Sequence, residues 1–498
     1  MKQILRPYQS EAVSRCRESV AKNGRVLLQL PTGGGKTTIA AEVIDLAVKK
    51  GKSVLFLAHR RELIQQAYER FTDFGLSCSV VLSGNKDADP GKSVQIGSVQ
   101  TCVRRKKYMA SLSPDLIIVD EAHHAVAKSY VTILKMYPDT SVMGLSATPY
   151  RSDGKGLGSI DDYPVFKALV VVETTKALIE QGYLSPCEVW VPQILNFSKV
   201  KLDKGEFDSK EVEKMFIDRD LMENVARDWK KYCNGLQTLV FASSVRHSQS
   251  LVAVFNEQGI SAAHIDGTTP KPERKKVLSQ LAEGSTRVVS NFGVLTEGFD
   301  CPAVSALILA RPTMSMGLFK QMVGRGLRSH KGKTTAVILD YGKNTMRHTW
   351  PTNDPPADLS GGITETTKKS KKKDEEIGAW ICPKCCAGVP MQEPDCTKCG
   401  ASKPVAKLAH NKKSYKLIRL NENDIESPLT QAQIWTRRMK FFELEDKDKG
   451  AKRSLWASSY KYKSLYGNMP HDDGILSATE IYNYFKNRPR GAANGKTI

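Results

Sequence analysis

The chain has 498 residues, 74 Lys and Arg against 53 Asp and Glu, and a net charge of +21. Its length implies about three domains, and no run of the roughly eighteen apolar residues that a membrane helix needs occurs. The N-terminus lacks a signal-peptide pattern, so a soluble cytoplasmic protein with no membrane partner is expected, and the positive balance favours a polyanion as partner.

Along the chain, residues 25–30 (RVLLQL) form an apolar run too short for a helix, which reads as a buried strand. Thr32, Gly33, Gly34 and Gly35 follow, a stretch in which the backbone can curl so that consecutive N–H groups face phosphate oxygens. Ile39, Ala40, Val43, Ile44 and Ala47 then recur at helical spacing, which sets that cradle on a helix N-terminus. In such a loop Lys36 reaches the β- and γ-phosphates of a nucleotide, and the Thr37 hydroxyl, with Thr38 beside it, ligates Mg²⁺. Leu30 stands where the general pattern G-x-x-x-x-G-K-[ST] has its first glycine.

Further strands are expected at 53–58, 93–97, 115–119 and 141–145, alternating with amphipathic helical stretches. That alternation predicts an α/β doubly wound parallel sheet. The strand at 115–119 runs into Asp120-Glu-Ala-His123. Asp120 would hold Mg²⁺ directly or through water, and Glu121 would orient and deprotonate the attacking water. Tyr150 to Val165, with Gly154, Gly156 and Gly158, reads as a flexible loop. A second alternation passes through 238–242, 287–290, 306–309 and 335–339, with no sequence repeat of the first.

Residues 347–378 read as a flexible linker, rich in Pro, Gly, Thr and Lys from 349 onward and carrying a lysine run at 368–373. Those lysines suit phosphate attraction and a plain solvated charge run equally. Cys382-Pro-Lys-Cys385 and Cys396-Thr-Lys-Cys399 are two C-x-x-C pairs that can turn four thiolates toward one structural Zn²⁺, with Cys386 as a spare thiol. A redox dithiol is the alternative. Cys16, Cys78, Cys102, Cys187, Cys233 and Cys301 are scattered and expected to be free. The basic tail, 404–498, interleaves Trp435, Trp456, Tyr460, Tyr462 and Tyr466 with lysines. It is expected to be mostly helical, with its aromatics forming a small core or stacking on bases.

Leu30–Thr37, Asp120–His123, Ser146-Ala-Thr-Pro149 and Gln321-Met-Val-Gly-Arg-Gly-Leu-Arg328, in that order, resemble the superfamily 2 DEAD/DEAH-box helicases and translocases over roughly residues 1–345. The resemblance implies two tandem RecA-like domains, 1–165 and 166–346, with ATP between them, followed by a zinc ribbon at 379–403 and the basic C-terminal domain. It implies that Gln9, with Arg6 or Tyr8 beside it in Leu5-Arg-Pro-Tyr-Gln9, recognises adenine. It implies further that Arg325 and Arg328 enter from the second domain, one or both as arginine fingers, and that Gln321 helps couple closure to the water and to His123. Ser146 and Thr148 share that coupling. Gly298 and Asp300, in Thr296-Glu-Gly-Phe-Asp300, lie beside the nucleotide. The nucleic-acid backbone would meet His59, Arg60, Ser98, Gln100, Thr101, Ser243, Thr268 and Thr296. Small hydroxyl residues at strand ends suit phosphate contact without base reading, although Ser98, Thr101 or Ser243 taken alone is more often a helix cap or turn residue.

In Leu5–Gln9, Gly97–Thr101, Gln181–Pro186, Leu295–Pro302 and Gln321–Arg328 the chain also resembles RadD-type bacterial DNA-repair helicases and their phage-encoded relatives. Ala122 stands where that group often has Cys. This reading implies an intracellular bacterial or phage-encoded ATP hydrolase that moves along or unwinds single-stranded or branched DNA in repair, recombination or replication, beside the proteins of those processes. An RNA-dependent ATPase, a DNA-remodelling translocase that does not unwind, and a non-catalytic zinc adaptor are the alternatives.

Overall fold

The computed structural model describes residues 4–149, 156–193, 205–296, 298–354 and 415–422, with shorter pieces between them. Its first half opens with α1 (Pro7–Asn23), where proline in the first turn fits the helical φ and forfeits no hydrogen bond. Strands β1 (Arg25–Gln29), β2 (Val54–Ala58), β3 (Cys78–Val81), β4 (Val94–Ser98), β5 (Leu116–Asp120) and β6 (Ser141–Ser146) alternate with helices. These are α2 (Lys36–Val48), α3 (Arg61–Asp73), the short pair α4 (Val99–Arg104) and α5 (Lys106–Ala110), and α6 (Lys128–Met136). A two-residue hairpin, β7 (Ser159–Ile160) with β8 (Tyr163–Pro164), leads into β9 (Ala168–Val171).

The sheet order is β3-β4-β2-β5-β6-β1-β9, parallel at every pairing. Its central strands are buried along their whole length because helices cover both faces. Alternate residues serve the two sides. Val26, Leu28, Val54, Phe56 and Ile118 face one core with α1, α2 and α3. Leu27, Leu55, Leu57, Ile117 and Val119 face the other with α4 and α6.

After α7 (Thr175–Glu180), the second half is built from β10 (Cys187–Pro192), a hairpin of β11 (Leu202–Asp203) and β12 (Glu206–Phe207), and helices α8 (Ser209–Phe216) and α9 (Arg219–Tyr232). It continues through β13 (Thr238–Ala242), α10 (Val245–Glu257), β14 (Ala262–Ile265), α11 (Lys271–Glu283), β15 (Val288–Asn291), β16 (Ala306–Ala310), α12 (Met316–Gly326), β17 (Ala336–Leu339) and α13 (Asn344–Arg347). Side-chain caps set several starts. Asp208 accepts from the backbone of Lys210 and Glu211, Asp218 from Leu221, and Ser315 from Leu318. Further on come β18 (Ala379–Ile381), paired antiparallel with β19 (Gly388–Pro390), and β20 (Leu417–Leu420). The second sheet has the order β14-β15-β13-β16-β17-β10-β20, parallel except for β20.

Three expected boundaries move. The first sheet runs past residue 165, because β9 pairs with β1. The expected linker begins inside the fold: Thr349, Trp350 and Thr352 are buried, and Asp354 accepts hydrogen bonds from the backbone and hydroxyl of Thr175. The tail expected to form a separate unit from 404 instead lends β20 to the second sheet, where Tyr415, Leu417 and Leu420 are buried. Within the loop expected at 150–165, the hairpin β7–β8 is regular structure, while 150–155 lie outside the described residues. Cys382, Cys385, Cys396 and Cys399 also lie outside them, as does the tail beyond 422.

Candidate functional site: a cleft between two parallel sheets

The phosphate loop joins β1 to α2. Gly33 and Gly35 hold φ of 87° and 83°, and Gly35 is the left-handed residue that starts α2. A Cβ on Gly35 would stand 2.3 Å from Nε2 at the movable end of Gln9, so it is the left-handed φ that calls for glycine there. The start of α2 has no side-chain cap, which leaves its N–H groups for an anion. Leu30 is fully buried in the core, and its Cγ lies 2.7 Å from where a Cβ of Gly34 would be. The position that the general motif gives to glycine is here a hydrophobic prop beneath the loop.

Lys36 Nζ donates to the carbonyls of Leu30 (3.2 Å) and Pro31 (3.5 Å), folded back on its own loop. Burial pushes this ammonium below the usual lysine range; Glu121 and Asp120 oppose that shift, and Arg325 and Arg328 add to it. Charges from both halves of the molecule therefore act on one side chain. Asp120 ends β5 and accepts from the backbone of Glu121 (3.0 Å). Glu121 has a φ of 46°, a left-handed conformation that turns the chain away from the strand and is costly for a residue with a side chain. Its Oε2 lies 3.4 Å from His123 Nδ1, which is also 3.4 Å from Ser146 Oγ. Ser146 Oγ donates in turn to the Thr148 carbonyl (2.9 Å).

The second sheet supplies the opposite wall. Gln321 and Arg325 lie one turn apart on α12, both buried, and Arg328 follows the helix end. Arg325 donates to the carbonyls of Thr296 and Phe299, and Arg328 to Phe299 (2.9 Å). Arg328 also pairs with Asp300 at 3.1 Å. Both guanidiniums are thus parked on the segment that carries Gly298. Close approaches join the two walls. A Cβ on Gly324 would lie 2.4 Å from Thr32 Cβ, and one on Gly33 would lie 3.4 Å from Arg328 Cγ. Gln66 donates to the Gly298 carbonyl, Arg60 to the Gly293 carbonyl (3.3 Å), and Arg274 pairs with Glu62 at 3.0 Å.

At the mouth, Tyr8 Oη (2.9 Å) and Gln9 Nε2 (3.3 Å) donate to the Gly34 carbonyl, and Arg6 lies 4.5 Å over the ring of Tyr183. Tyr183 and Arg70, which donates to Thr38 Oγ1 (2.8 Å), belong to this site without being singled out beforehand. Tyr183 lay within the segment 181–186 already noted; Arg70 carried no signal, being one basic residue on a helix. The expected nucleic-acid residues do not converge on the nucleotide loop. Ser98 donates to Gln100 (2.8 Å), Thr101 is buried, and Thr268 donates to Asp266 (2.7 Å). Ser243 sits against His247 (2.9 Å), while its neighbour Ser244 is the cap of α10. Thr296 enters through its carbonyl, as an acceptor for Arg325. They lie at or beyond the carboxyl ends of strands, where ligands of open α/β sheets bind.

The donor set suits a magnesium nucleoside triphosphate, with Thr37 and Asp120 as the hard oxygen ligands. A phosphate loop on one sheet faced by arginines from another defines a motor-type nucleotide hydrolase whose site is divided between two domains. Two family models match in tandem: the type III restriction enzyme res subunit over residues 2–151 and the helicase conserved C-terminal domain over 221–330. A 51.5 kDa protein of a Lactococcus phage is 32% identical over 374 residues, covering 75% of this chain and 77% of its own. A Saccharomyces cerevisiae protein provisionally named ATP-dependent helicase IRC3 is 33% identical over 358 residues, 68% of this chain and 51% of the relative. This chain therefore spans about half of that yeast protein. The solved fragment of an HsdR subunit (provisionally so named) of a type I restriction enzyme from Vibrio vulnificus superposes with a TM-score of 0.56 at 25% identity, covering 72% of this chain and 67% of that one. The chain belongs to the superfamily 2 helicases, and it is an ATP-hydrolysing enzyme of that family. No described helix is long and apolar enough to cross a membrane.

Proposed function

We propose that this protein is an ATP-driven DNA translocase that moves along or unwinds a DNA strand. The observation that carries the reading is the shared site: Lys36 and Glu121 on one sheet, Arg325 and Arg328 on the other, coupled across a cleft whose walls touch at Thr32 and Gly324. Lys36, Thr37 and the N–H groups after Gly33 would hold the triphosphate, and a Mg²⁺ held by Thr37 and Asp120 would supply charge neutralisation. Glu121 orients the attacking water and takes its proton. Arg325 and Arg328 exchange the carbonyls of Thr296 and Phe299 for the phosphates as the cleft closes, so that turnover depends on domain closure. Gln321, His123, Ser146 and Thr148 link that closure to the water, and Arg6 with Gln9 recognises the base.

DNA as the track is supported by the charge of +21 and by similarity to an archaeal protein named DNA 3'-5' translocase XPB2, from Sulfurisphaera tokodaii, 24% identical over 82% of its length. The track would run over His59, Arg60, Ser98, Gln100, Thr101, Ser243, Thr268 and Thr296. Four thiolates at 382, 385, 396 and 399 would hold a structural Zn²⁺ that, with the basic tail, selects the DNA form engaged, in a repair, recombination or replication setting. The test is ATPase and strand separation on single-stranded, duplex, forked and branched DNA, with RNA in parallel. Stimulation by DNA supports the reading; stimulation by RNA alone overturns it.

A further inference from the structure

Three imidazoles lie in contact beside the water-activating carboxylate. His123 and His124 have ring centroids 4.1 Å apart, and His124 and His59 4.4 Å apart. His123 reaches Glu121 at 3.4 Å. At the other end, His59 follows β2, and its neighbour Arg60 donates to the Gly293 carbonyl of the second domain (3.3 Å). Contacts therefore run without a gap from the second domain, through the strand end where the DNA track is placed, to Glu121.

We propose that His124 is a positioning residue that couples His59 and Arg60 at the strand end to the carboxylate of Glu121. The mechanical link is the single turn formed by residues 121–124. The backbone N–H of His124 donates to the carbonyl of Glu121 (3.0 Å), closing a 3₁₀ turn directly after the left-handed Glu121. A push on the His124 ring therefore acts on the backbone that aims the carboxylate. Glu121 holds a left-handed backbone conformation that is strained for a residue with a side chain, so a small displacement suffices to shift its direction. His123 stands 3.4 Å from the carboxylate and itself lies 3.4 Å from Ser146 Oγ, so the carboxylate is also bounded from the side of β6. The rings of His59 and His124 meet edge to face at 61° and those of His124 and His123 are tilted at 43°, so what is transmitted is contact between rings and needs no proton transfer.

This inference rests on DNA being the track. It predicts that His124 governs how strongly DNA stimulates hydrolysis, separately from how tightly DNA binds. Full-length wild type, His124→Ala, His124→Phe, His59→Ala and the double alanine variant are assayed for kcat with and without saturating single-stranded DNA, and for DNA Kd. His124→Ala is expected to reduce the ratio of stimulated to basal kcat by about threefold to thirtyfold with an unchanged DNA Kd. His124→Phe, which keeps a ring in the stack, retains most of the stimulation. The double variant loses no more than the worse single one, because both rings serve one path. A His124→Ala ratio equal to wild type, additive losses in the double variant, or a loss shared with DNA Kd would each overturn the assignment. A wild-type enzyme indifferent to DNA overturns the proposed function itself and this coupling with it, an outcome separable from the variant results.

Discussion

Glu121 and Lys36 stand at the same site with opposite tasks, and their substitutions separate binding from chemistry. Glu121→Gln keeps the size and the left-handed backbone but removes the base, so kcat should fall about 10²–10⁴-fold while ATP binding persists. Lys36→Ala removes the one buried ammonium in the loop and should weaken nucleotide affinity as well. Equilibrium binding of a fluorescent ATP analogue, set beside single-turnover hydrolysis, distinguishes the two. A Glu121→Gln enzyme with wild-type turnover would remove Glu121 from the role of base. Lys36, Thr37, Asp120 and Glu121 were legible in sequence because a phosphate loop and a strand-end acid pair are local patterns. Arg70 and Tyr183 were not. Their roles depend on α3 bringing Arg70 to Thr38 and on the chain after α7 returning under Arg6, placements that local spacing does not encode.

At the scale of elements, the segment after α13 works as a strap. Lys320, on the same helix as Gln321 and Arg325, donates to the carbonyls of Trp350 (3.1 Å), Pro351 (2.9 Å) and Asn353. Asp354 then accepts from Thr175 at the start of α7, whose Leu178 belongs to the first domain's core. The strap therefore ties the halves together beyond the contacts across the cleft, and opening the cleft must loosen one of its anchors. Asp354→Ala should raise the ATP KM about threefold to tenfold, the loss of one or two hydrogen bonds, with kcat at saturating DNA nearly unchanged. An unaltered KM would show that the strap bears no load. The edge strand β20 allows a second test. A chain ending at 410 loses Tyr415, Leu417 and Leu420 from the second core, whereas one ending at 425 keeps them. The shorter chain should be less stable by roughly 5 kcal/mol, from about 1.5–3 kcal/mol per buried side chain, read as a lower unfolding midpoint in urea; equal midpoints would make β20 dispensable. β1, β2, β4, β5, β6, β13, β15, β16 and β17 were predicted within a residue or two because burial writes apolar runs, whereas the interior strand β10 (Cys187–Pro192), half-buried along its first part, was not expected. β9 and β20 were missed for the same physical reason. Each is a four-residue sheet-edge strand with mixed burial, Ala168–Val171 and Leu417–Leu420, and pairing rather than composition makes it a strand.

On the scale of the whole molecule, two sheets without sequence repeat reach the same parallel architecture, because each needs only apolar strands of alternating facing and a helix to return the chain. What distinguishes them is what they bring to the cleft: arginines from the end of α12, beside the start of β10, on the second, and on the first a phosphate loop and carboxylates at the carboxyl ends of its strands. The track placed across those ends requires that the net charge of +21 work mainly through phosphates. Affinity for single-stranded DNA should then fall with a log–log salt slope of about −0.7 for each phosphate neutralised. With about five phosphates engaged, a rise from about 50 to 200 mM salt weakens binding roughly a hundredfold. Basal ATP hydrolysis should change far less over that range, because Arg325 is buried and Lys36 and Arg328 are half-buried within the cleft, where salt screens them less. Titrating labelled single-stranded DNA at several salt concentrations, with basal ATPase measured in the same buffers, tests both halves of the argument. A flat binding curve would mean that the basic surface does not carry the track, and a basal rate that collapses in parallel would mean that salt acts on the motor itself.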